Sequence, residues 1–432
     1  MTGAAAAPAV SDVFVIGGGP AGSTIAALLA AQGRSVVLAD KDRHPRFHIG
    51  ESLLPCNLPL FEKLGIADEV AALGMPKYGI EFVSPDHDRP SLLAFADSWH
   101  KERSYAFQVR RSVFDHLLLQ NAAAKGAAVM EGTRVTEIAF PPEGGVVVRA
   151  VGEDGVAHEW RARFLVDASG RDTFLASLLK LKQRNRRHES AAVYGHFTGA
   201  RRLEGREEGH ISIFWFEAGW FWFIPLSDGT TSVGAVCRPA TFKNRDGDVT
   251  ALLAALIETC PGLKARLKDA VLTGPATATG NYSYDSTSMI GERYIMVGDA
   301  STFIDPVFST GVYLAMRSAF LGADTIAACL DRPAEAKAAL ARFEREVRGG
   351  LGRFTWFIYR ITRPVIRQLF MAPRNILRME EAVLALLAGD IERHSPIRFR
   401  LTLFKGLYYA KTGLEKLRGL GRGAAPTAPG TR

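Results

Sequence analysis

The chain has 432 residues, of which 47% are hydrophobic and 23% are charged. This composition excludes a disordered chain, a fibre and a small disulfide-stapled domain, and the length favours two modules because single cores stop growing at roughly 250–300 residues. The net charge is +8, from 53 basic and 45 acidic residues. Residues 396–422 contribute +6 of it, with seven basic residues against Glu415 alone. The remainder is nearly neutral, so no nucleic-acid partner is expected.

Cysteine and histidine usage argues against disulfides and metals. Cys56, Cys237, Cys260 and Cys329 are isolated, and the histidines show no metal-ligand spacing. We therefore expect a cytoplasmic location and no metal site. The longest apolar stretch, 13–31, contains three consecutive glycines and a proline, which favours a strand, a turn and a helix over a membrane span.

The predicted elements alternate between strands and helices before a β-rich stretch interrupts them. Residues 12–40 predict a βαβ unit, 190–240 a sheet rich in aromatic and β-branched residues, and 335 onward a helical region. The fold class is α/β, with an α/β module, an inserted β-sheet module and a helical C-terminal region. The expected bounds are 11–189 with 276–334 for the α/β module, 190–275 for the inserted β-rich module, 335–420 for the helical region, and 1–10 and 421–432 for flexible ends.

A dinucleotide fingerprint lies in the βαβ unit. Gly17-Gly18-Gly19-Pro20-Ala21-Gly22 satisfies GxGxxG between a strand and a helix, and Asp40 ends the next strand. Gly17 allows the tight turn, Gly19 lets a pyrophosphate approach the backbone, and Gly22 lets the helix lie close to the strand. The N-terminus of the helix favours phosphate, and Asp40 can accept hydrogen bonds from ribose hydroxyls.

Three later motifs indicate FAD rather than NAD. Residues 164–171 (FLVDASGR), 294–300 (YIMVGDA) and 108–115 (QVRRSVFD) resemble motifs of the flavoprotein monooxygenase superfamily, which includes para-hydroxybenzoate hydroxylase. The resemblance implies cofactor contacts from Arg111, Asp167 and Asp299. It also implies that the α/β module is a Rossmann-like FAD-binding module and that the inserted β-sheet is a substrate module. With the fingerprint, the full set predicted to bind FAD is Gly17, Gly19, Pro20, Ala21, Gly22, Asp40, Glu51, Ser52, Arg111, Asp167, Gly298 and Asp299.

Within that superfamily the chain resembles the flavin-dependent halogenases. Trp220-Phe221-Trp222-Phe223-Ile224-Pro225 is similar to their WxWxIP signature, although aromatic residues at a period of two also suit an ordinary strand. Other similar segments are 50–55 (GESLLP, a flavin-strapping loop), 76–79 (PKYG, with the family's catalytic lysine), 305–313 (DPVFSTGVY, a halide loop) and 386–390 (LLAGD).

The resemblance implies roles for eight further residues. Lys77 is the expected catalytic residue, which guides hypohalous acid to the substrate by a hydrogen bond or as a haloamine. Its apolar flanks predict a partly desolvated amine with a lowered pKa, whereas without the resemblance it would be a surface lysine. The backbone N–H groups of Thr310 and Gly311 are expected to hold halide before a long helix. The predicted substrate passage comprises Trp220, Trp222, Ile224, Pro225 and Phe308.

Phe308 departs from the pattern of tryptophan halogenases, which carry a glutamate two residues before the threonine of the halide loop. An apolar side chain cannot act as a base. Free tryptophan is therefore disfavoured, and a phenol, pyrrole, indole or carrier-tethered aromatic is preferred. Glu81 and His196 are candidate bases whose positions the sequence does not give.

The predicted function is an FADH2-dependent halogenase of secondary metabolism, such as antibiotic biosynthesis, which makes hypohalous acid from O2 and chloride or bromide. A separate NAD(P)H-dependent flavin reductase is expected, since no second nucleotide fingerprint occurs. A non-halogenating flavoprotein monooxygenase or reductase of the same fold, or a non-catalytic flavin-fold carrier, remain alternatives. The basic tail suits a solvated amphipathic helix, or contact with an anionic membrane or an acidic carrier protein.

Overall fold

The computed structural model describes residues 10–185, 189–243, 248–280, 283–392 and 395–422. The first part of the chain forms β1 (Val10–Ile16), α1 (Pro20–Ala31), β2 (Val36–Ala39), α2 (Leu58–Leu64), α3 (Ala67–Leu73), β3 (Met75–Lys77), β4 (Gly79–Val83), β5 (Ser91–Ala94), β6 (Ala106–Gln108), α4 (Arg111–Ala124), β7 (Ala128–Met130), β8 (Thr133–Ala139), β9 (Val146–Gly152), β10 (Ala157–Asp167), α5 (Phe174–Leu178) and β11 (Lys182–Arg184).

The middle of the chain is dominated by strands. It forms β12 (Ala191–Thr198), β13 (Ile211–Phe216), β14 (Gly219–Pro225), β15 (Thr231–Cys237), α6 (Pro239–Lys243), α7 (Val249–Glu258), α8 (Pro261–Arg266), β16 (Val271–Leu272) and β17 (Thr277–Thr279).

The last part returns to the first sheet and then becomes helical. It forms β18 (Tyr284–Ser286), β19 (Ile290–Gly291), β20 (Tyr294–Met296), α9 (Thr310–Asp331), α10 (Ala336–Ile358), α11 (Pro364–Met371), α12 (Met379–Leu387) and α13 (Ile397–Arg422).

The first sheet, which contains the predicted βαβ unit, has the order β19-β20-β10-β1-β2-β7, with β9 paired to β10 and β8 paired to β9. The central strands β1, β2, β10 and β20 are parallel, and α1 packs against α9 and α4. Strands buried on both faces read as continuous apolar runs, as 13–16 does here. This is the predicted Rossmann-like arrangement.

The second sheet has the order β16-β12-β15-β14-β13-β4-β5. It therefore recruits β4 and β5 from the range predicted for the FAD-binding module, and β4 pairs in parallel with β13. One face packs on α7 and α8 through residues such as Phe221 and Phe223. The opposite face belongs to a core that also contains α11, α12 and the buried side of α13.

The two ends of the chain are only partly described. The predicted flexible ends lie outside the described residues except for Val10, which begins β1, and 421–422, which belong to α13. Among the helices in the described ranges, none combines the length and apolar character needed to cross a bilayer.

Candidate active site

The glycine turn between β1 and α1 closes as the fingerprint predicts. Gly17 has φ = +98°, and a Cβ there would lie 2.5 Å from the carbonyl oxygen of Ala168, which directly follows the neighbouring strand β10. A Cβ on Gly22 would overlap the carbonyl oxygen of Gly17. A Cβ on Gly19 would meet only the guanidinium of Arg46, at 3.6 Å, so the backbone there is open to a ligand.

Asp40 follows β2 and is buried at the edge of the main cavity. Its carboxylate accepts hydrogen bonds from the N–H groups of Gly18 at 2.6 Å and Asp42 at 2.8 Å. These bonds tie Asp40 to the glycine turn and hold its carboxylate beside the space for a ribose. The arrangement suits the role that the fingerprint predicts.

Asp167 occupies a different environment from the other predicted cofactor ligands. Its side chain is fully buried at the end of β10 and accepts from the N–H groups of Ser169 at 2.9 Å and Leu175 at 2.7 Å. Burial raises its pKa. The cavity wall is formed by the next residues, Ala168 and Ser169, so Asp167 shapes this wall through the backbone.

Arg111 and Asp299 both border the cavity. Arg111 is held by two hydrogen bonds to Asp115, at 2.7 and 2.9 Å, and donates to the carbonyl of Ile49 at 2.7 Å. Burial raises the pKa of Asp299 to about 6, against the lowering effect of Arg111 and Arg171. Gly298 precedes it with φ = +58° and begins a 3-10 turn that aims Asp299 at the cavity.

The GESLLP segment forms part of the cavity wall and is anchored from two sides. Glu51 is buried and its carboxylate lies 2.5 Å from Nε2 of His196 on β12. Ser52, the next residue, accepts a hydrogen bond from the amine of Lys77. Both residues border the cavity, as predicted for a strap over a flavin.

The side chain of Lys77 is completely buried. Its Nζ donates to Oγ of Ser52 at 2.9 Å and to the carbonyl of Leu53 at 3.0 Å, and it lies 5.3 Å from the ring centre of Phe95. Desolvation lowers its pKa to about 7, and the amine is more deeply buried than the partial desolvation expected from its apolar flanks. The amine lies behind the segment formed by Ser52 and Leu53 and is not itself on the cavity wall.

The aromatic strand β14 directs alternate residues to opposite sides. Trp220, Trp222 and Ile224 border the cavity, whereas Phe221 and Phe223 enter the core with α7 and α8. The indole N–H of Trp222 donates to Oγ of Ser232 at 3.1 Å. A Cβ at Gly234 would overlap the indole of Trp222, so this glycine makes room for it.

The halide-loop residues surround the N-terminus of α9. Ser309 precedes the helix with φ = +57°, a rare conformation for a non-glycine residue. Gly311 borders the cavity, while Thr310 is buried beside it. The first N–H groups of a helix lack intrahelical acceptors, so this end of the 22-residue helix favours an anion.

Two residues predicted for the substrate passage lie away from it. Phe308 is buried in the core shared with α11 and α12, and Pro225 is buried at the end of β14. Neither borders the main cavity. An apolar residue in a halide loop serves packing as readily as substrate contact, and the sequence does not separate these roles.

The candidate bases now have positions. Glu81 is buried and forms an ion pair with Arg266 at 2.8 Å, on the sheet face covered by α7 and α8. His196 instead pairs with Glu51, which borders the cavity. Of the two, His196 is the one connected to the site.

Other cavity residues were not foreseen from the sequence. Arg46 lies 3.9 Å from Asp40 and 3.5 Å from Asp115, and Ala192 and Ile211 contribute apolar wall from β12 and β13. The period-two pattern of the second sheet was the available signal for Ala192. Arg46 is not part of a recognisable motif. It lies in the loop after β2, and the sequence does not show that this loop reaches the site.

One cavity of about 380 Å3 joins these elements. It extends from the glycine turn and Asp40, past Arg111 and the GESLLP segment, to the tryptophan strand and the N-terminus of α9. The open backbone at Gly19, the carboxylate of Asp40 and the length of the cavity fit a dinucleotide whose far end meets the aromatic strand. The residues present therefore fit FAD.

Comparisons with known proteins agree with this geometry. A family model described as tryptophan halogenase matches residues 12–101 and 92–362. A 1H-pyrrole-2-carbonyl-[peptidyl-carrier protein] chlorinase of Pseudomonas fluorescens is 29% identical over 404 residues, covering 88% of this chain and 89% of that protein. A tryptophan 2-halogenase of Chondromyces crocatus is 34% identical over 364 residues, covering 81% and 67%. The structure of the myxobacterial FAD-dependent chondrochloren halogenase CndH is 34% identical, with a TM-score of 0.78 over 90% of this chain and 92% of that one.

Proposed function

The chain belongs to the flavin-dependent halogenase family, an oxidoreductase family that uses FAD, and we propose from this premise that it halogenates an electron-rich aromatic compound. The observation that carries the proposal is the single cavity that runs from the dinucleotide turn to Trp220, Trp222 and the N-terminus of α9. The predicted bounds of the FAD-binding, substrate and C-terminal modules are part of the proposal, except that β4 and β5 belong to the sheet of the substrate module.

We propose that the backbone at Gly17–Gly22 holds the pyrophosphate, that Asp40 holds a ribose, and that Arg111 and Asp299 fix the remainder of FAD. Bound as FADH2, the cofactor would supply two electrons and two protons, which with O2, a halide ion and one further proton give FAD, hypohalous acid and water. Glu51 and Ser52 would cover the cofactor. The two tryptophans would keep organic substrates away from the flavin, which suppresses direct hydroxylation.

We propose that chloride or bromide binds at the N–H groups of Thr310 and Gly311. This position combines free N–H donors with the positive end of a long helix dipole. Gly311 has no side chain, and the space beside its Cα is open. The N–H groups here are therefore not shielded from the cavity. The left-handed conformation of Ser309 directs the chain into the helix at this point.

Lys77 is the proposed guide for the oxidant. At neutral pH a pKa of about 7 leaves a large neutral fraction, and only a neutral amine has a lone pair with which to accept halogen. In the described part of the chain no carboxylate lies within ion-pair distance of its Nζ. The amine donates hydrogen bonds to Oγ of Ser52 and to the carbonyl oxygen of Leu53. Ser52 borders the cavity and lies between it and the amine.

For the substrate, we propose a phenol, a pyrrole or an indole, free or tethered to a carrier protein. The pyrrole-type chlorinase relative, whose name includes a peptidyl-carrier protein, supports the tethered form. Phe308 in place of a glutamate argues against free tryptophan. A separate NAD(P)H-dependent reductase would deliver FADH2. The four cysteines, all within the described ranges, are buried and free, which supports a cytoplasmic location.

The test combines the protein with a flavin reductase, NADH, FAD, O2 and bromide, and analyses a panel of aromatic compounds by mass spectrometry. We expect a bromide-dependent mass shift that Lys77→Met abolishes while FAD binding persists. Lys268→Met, at an exposed position, is the matched control and should retain activity. Hydroxylated product in the absence of halide would contradict the proposal and favour a monooxygenase.

A further inference from the structure

The C-terminal helix α13 has two apolar faces, and only one of them is covered. Ile397, Leu401, Phe404 and Tyr408 recur every three or four residues and are buried in the core with α11 and α12. This stripe attaches the first half of the helix. From Tyr409 to Leu417 none of the described side chains is buried, so the second half extends beyond the core.

The uncovered face carries a second apolar stripe. Phe399, Leu403, Leu407, Leu414 and Leu417 recur at intervals of three, four and seven residues, which places them on one side of the helix. Four of them are well exposed: Phe399 by 65%, Leu407 by 42%, Leu414 by 56% and Leu417 by 67%. The residues between them on this face are Thr402, Gly406, Ala410 and Gly413. Tyr409, at the border, contacts the end of α10 instead, where its hydroxyl accepts hydrogen bonds from Trp356 and Arg360. No charged residue interrupts it between 399 and 417.

Cations border this face in two rows. Arg398, Lys405 and Lys416 are separated by seven and eleven residues, and Arg400 and Lys411 by eleven, so each set lies along one side of the helix. The single acidic residue of the segment, Glu415, lies on the side of the buried stripe. The uncovered face is therefore apolar in the middle and basic at both borders.

We propose that this face of α13 binds the surface of an anionic lipid bilayer, with the helix lying parallel to the membrane. Apolar residues in the centre would enter the boundary of the acyl chains, and Lys411 and Lys416, one from each row, would meet lipid phosphates. The helix is not apolar enough to span the membrane. Three glycines (Gly413, Gly419 and Gly421) and few packing contacts make its second half weak as an isolated helix, and a bilayer would stabilise it.

A lipid surface fits this face better than an acidic protein. Protein interfaces concentrate aromatic and arginine anchors in a compact patch and are depleted in lysine. Here four leucines and three lysines are spread along a line of about 27 Å, from the rise of 1.5 Å per residue over positions 399–417. Phe399 is the lone aromatic residue of the exposed stripe, and both Arg400 and Lys405 already lie over tryptophan rings of the protein.

The proposal is independent of the halogenase chemistry, and its test uses the full chain with bound FAD. Flotation is measured with vesicles of phosphatidylcholine and with vesicles that also contain phosphatidylglycerol. We expect binding to the anionic vesicles alone, weakened at high salt, and reduced at least about tenfold in L414S/L417S because two leucines would no longer bury apolar surface in the membrane. FAD content should be unchanged.

The matched control is Leu178→Ser, which alters a leucine of similar exposure, 49%, on α5. It should float like the unaltered protein. Absence of binding to anionic vesicles, or equal binding of L414S/L417S, would overturn the proposal. So would capture of an acidic carrier protein through Leu414 and Leu417 by a chain that does not float, which would assign the face to a protein partner.

Discussion

Replacing Lys77 by methionine should change how protein stability depends on pH. Burial lowers the pKa of this amine from 10.5 to about 7, so the folded state disfavours its charged form. The destabilisation is fully present below pH 7 and disappears as the pH rises towards 10.5, because the unfolded chain holds the proton more tightly in that window. From these two pKa values, the unfolding free energy of the native protein should rise by about 2 kcal/mol between pH 7 and pH 9 relative to Lys77→Met.

Urea denaturation of both proteins at several pH values measures this difference. Methionine leaves Oγ of Ser52 and the carbonyl of Leu53 without their donor, but that cost is independent of pH and cancels in the slope. The neighbouring His210 does not interfere. Burial, and to a smaller extent the charge of Lys77, lower its pKa to about 4, which is below the pH range of the measurement. Lys268→Met, at an exposed position, is the matched control for the substitution itself. A flat difference for Lys77→Met would refute the desolvated amine.

Three further variants test the architecture of the cavity. Gly22→Ala should abolish FAD retention, measured by flavin absorbance after gel filtration, since the new methyl group overlaps the backbone of the glycine turn. Gly234→Ala should displace Trp222 and raise hydroxylated or uncoupled product relative to halogenated product in mass spectra, with FAD still bound. His196→Gln should weaken FAD binding several-fold in fluorescence titration, because the buried Glu51 loses its close partner; unchanged affinity would contradict a strap role for this pair.

The Rossmann-like half of the fold could be predicted because its signals are local. A strand, a glycine turn and a helix follow one another within 12–40, and the structure places them as β1, α1 and β2. The second sheet was recognisable from its aromatic and β-branched composition, but the strands β4 and β5 at its edge were not. Ile80 of β4 pairs with Ile211 of β13, and nothing in the short sequence of β4 indicates a partner so far along the chain.

The candidate site divides in the same manner. Motifs located most of the cavity wall, since Gly17, Asp40, Arg111 and Trp222 each carry a recognisable context. The depth of Lys77 could not be read from its neighbours, because it results from the packing of β3 against β6 and from the GESLLP segment above it. Phe308 shows the limit of resemblance: position in a motif does not determine which way an apolar side chain faces.

The GESLLP segment is held in place by buried polar contacts on two sides. Glu51 is fixed to His196 on the second sheet, and Ser52 and Leu53 are fixed to Lys77 on the opposite side. His196 and Lys77 would therefore both help to keep this segment over a bound flavin. An outward shift of the loop would break buried hydrogen bonds, and the loss of each costs about 1–3 kcal/mol. Among the residues that contact the amine, Ser52 is the one that borders the cavity. The cavity wall at Ser52 is thus the point at which oxidant and lysine would meet, and a larger residue there would separate halide oxidation from transfer to the substrate.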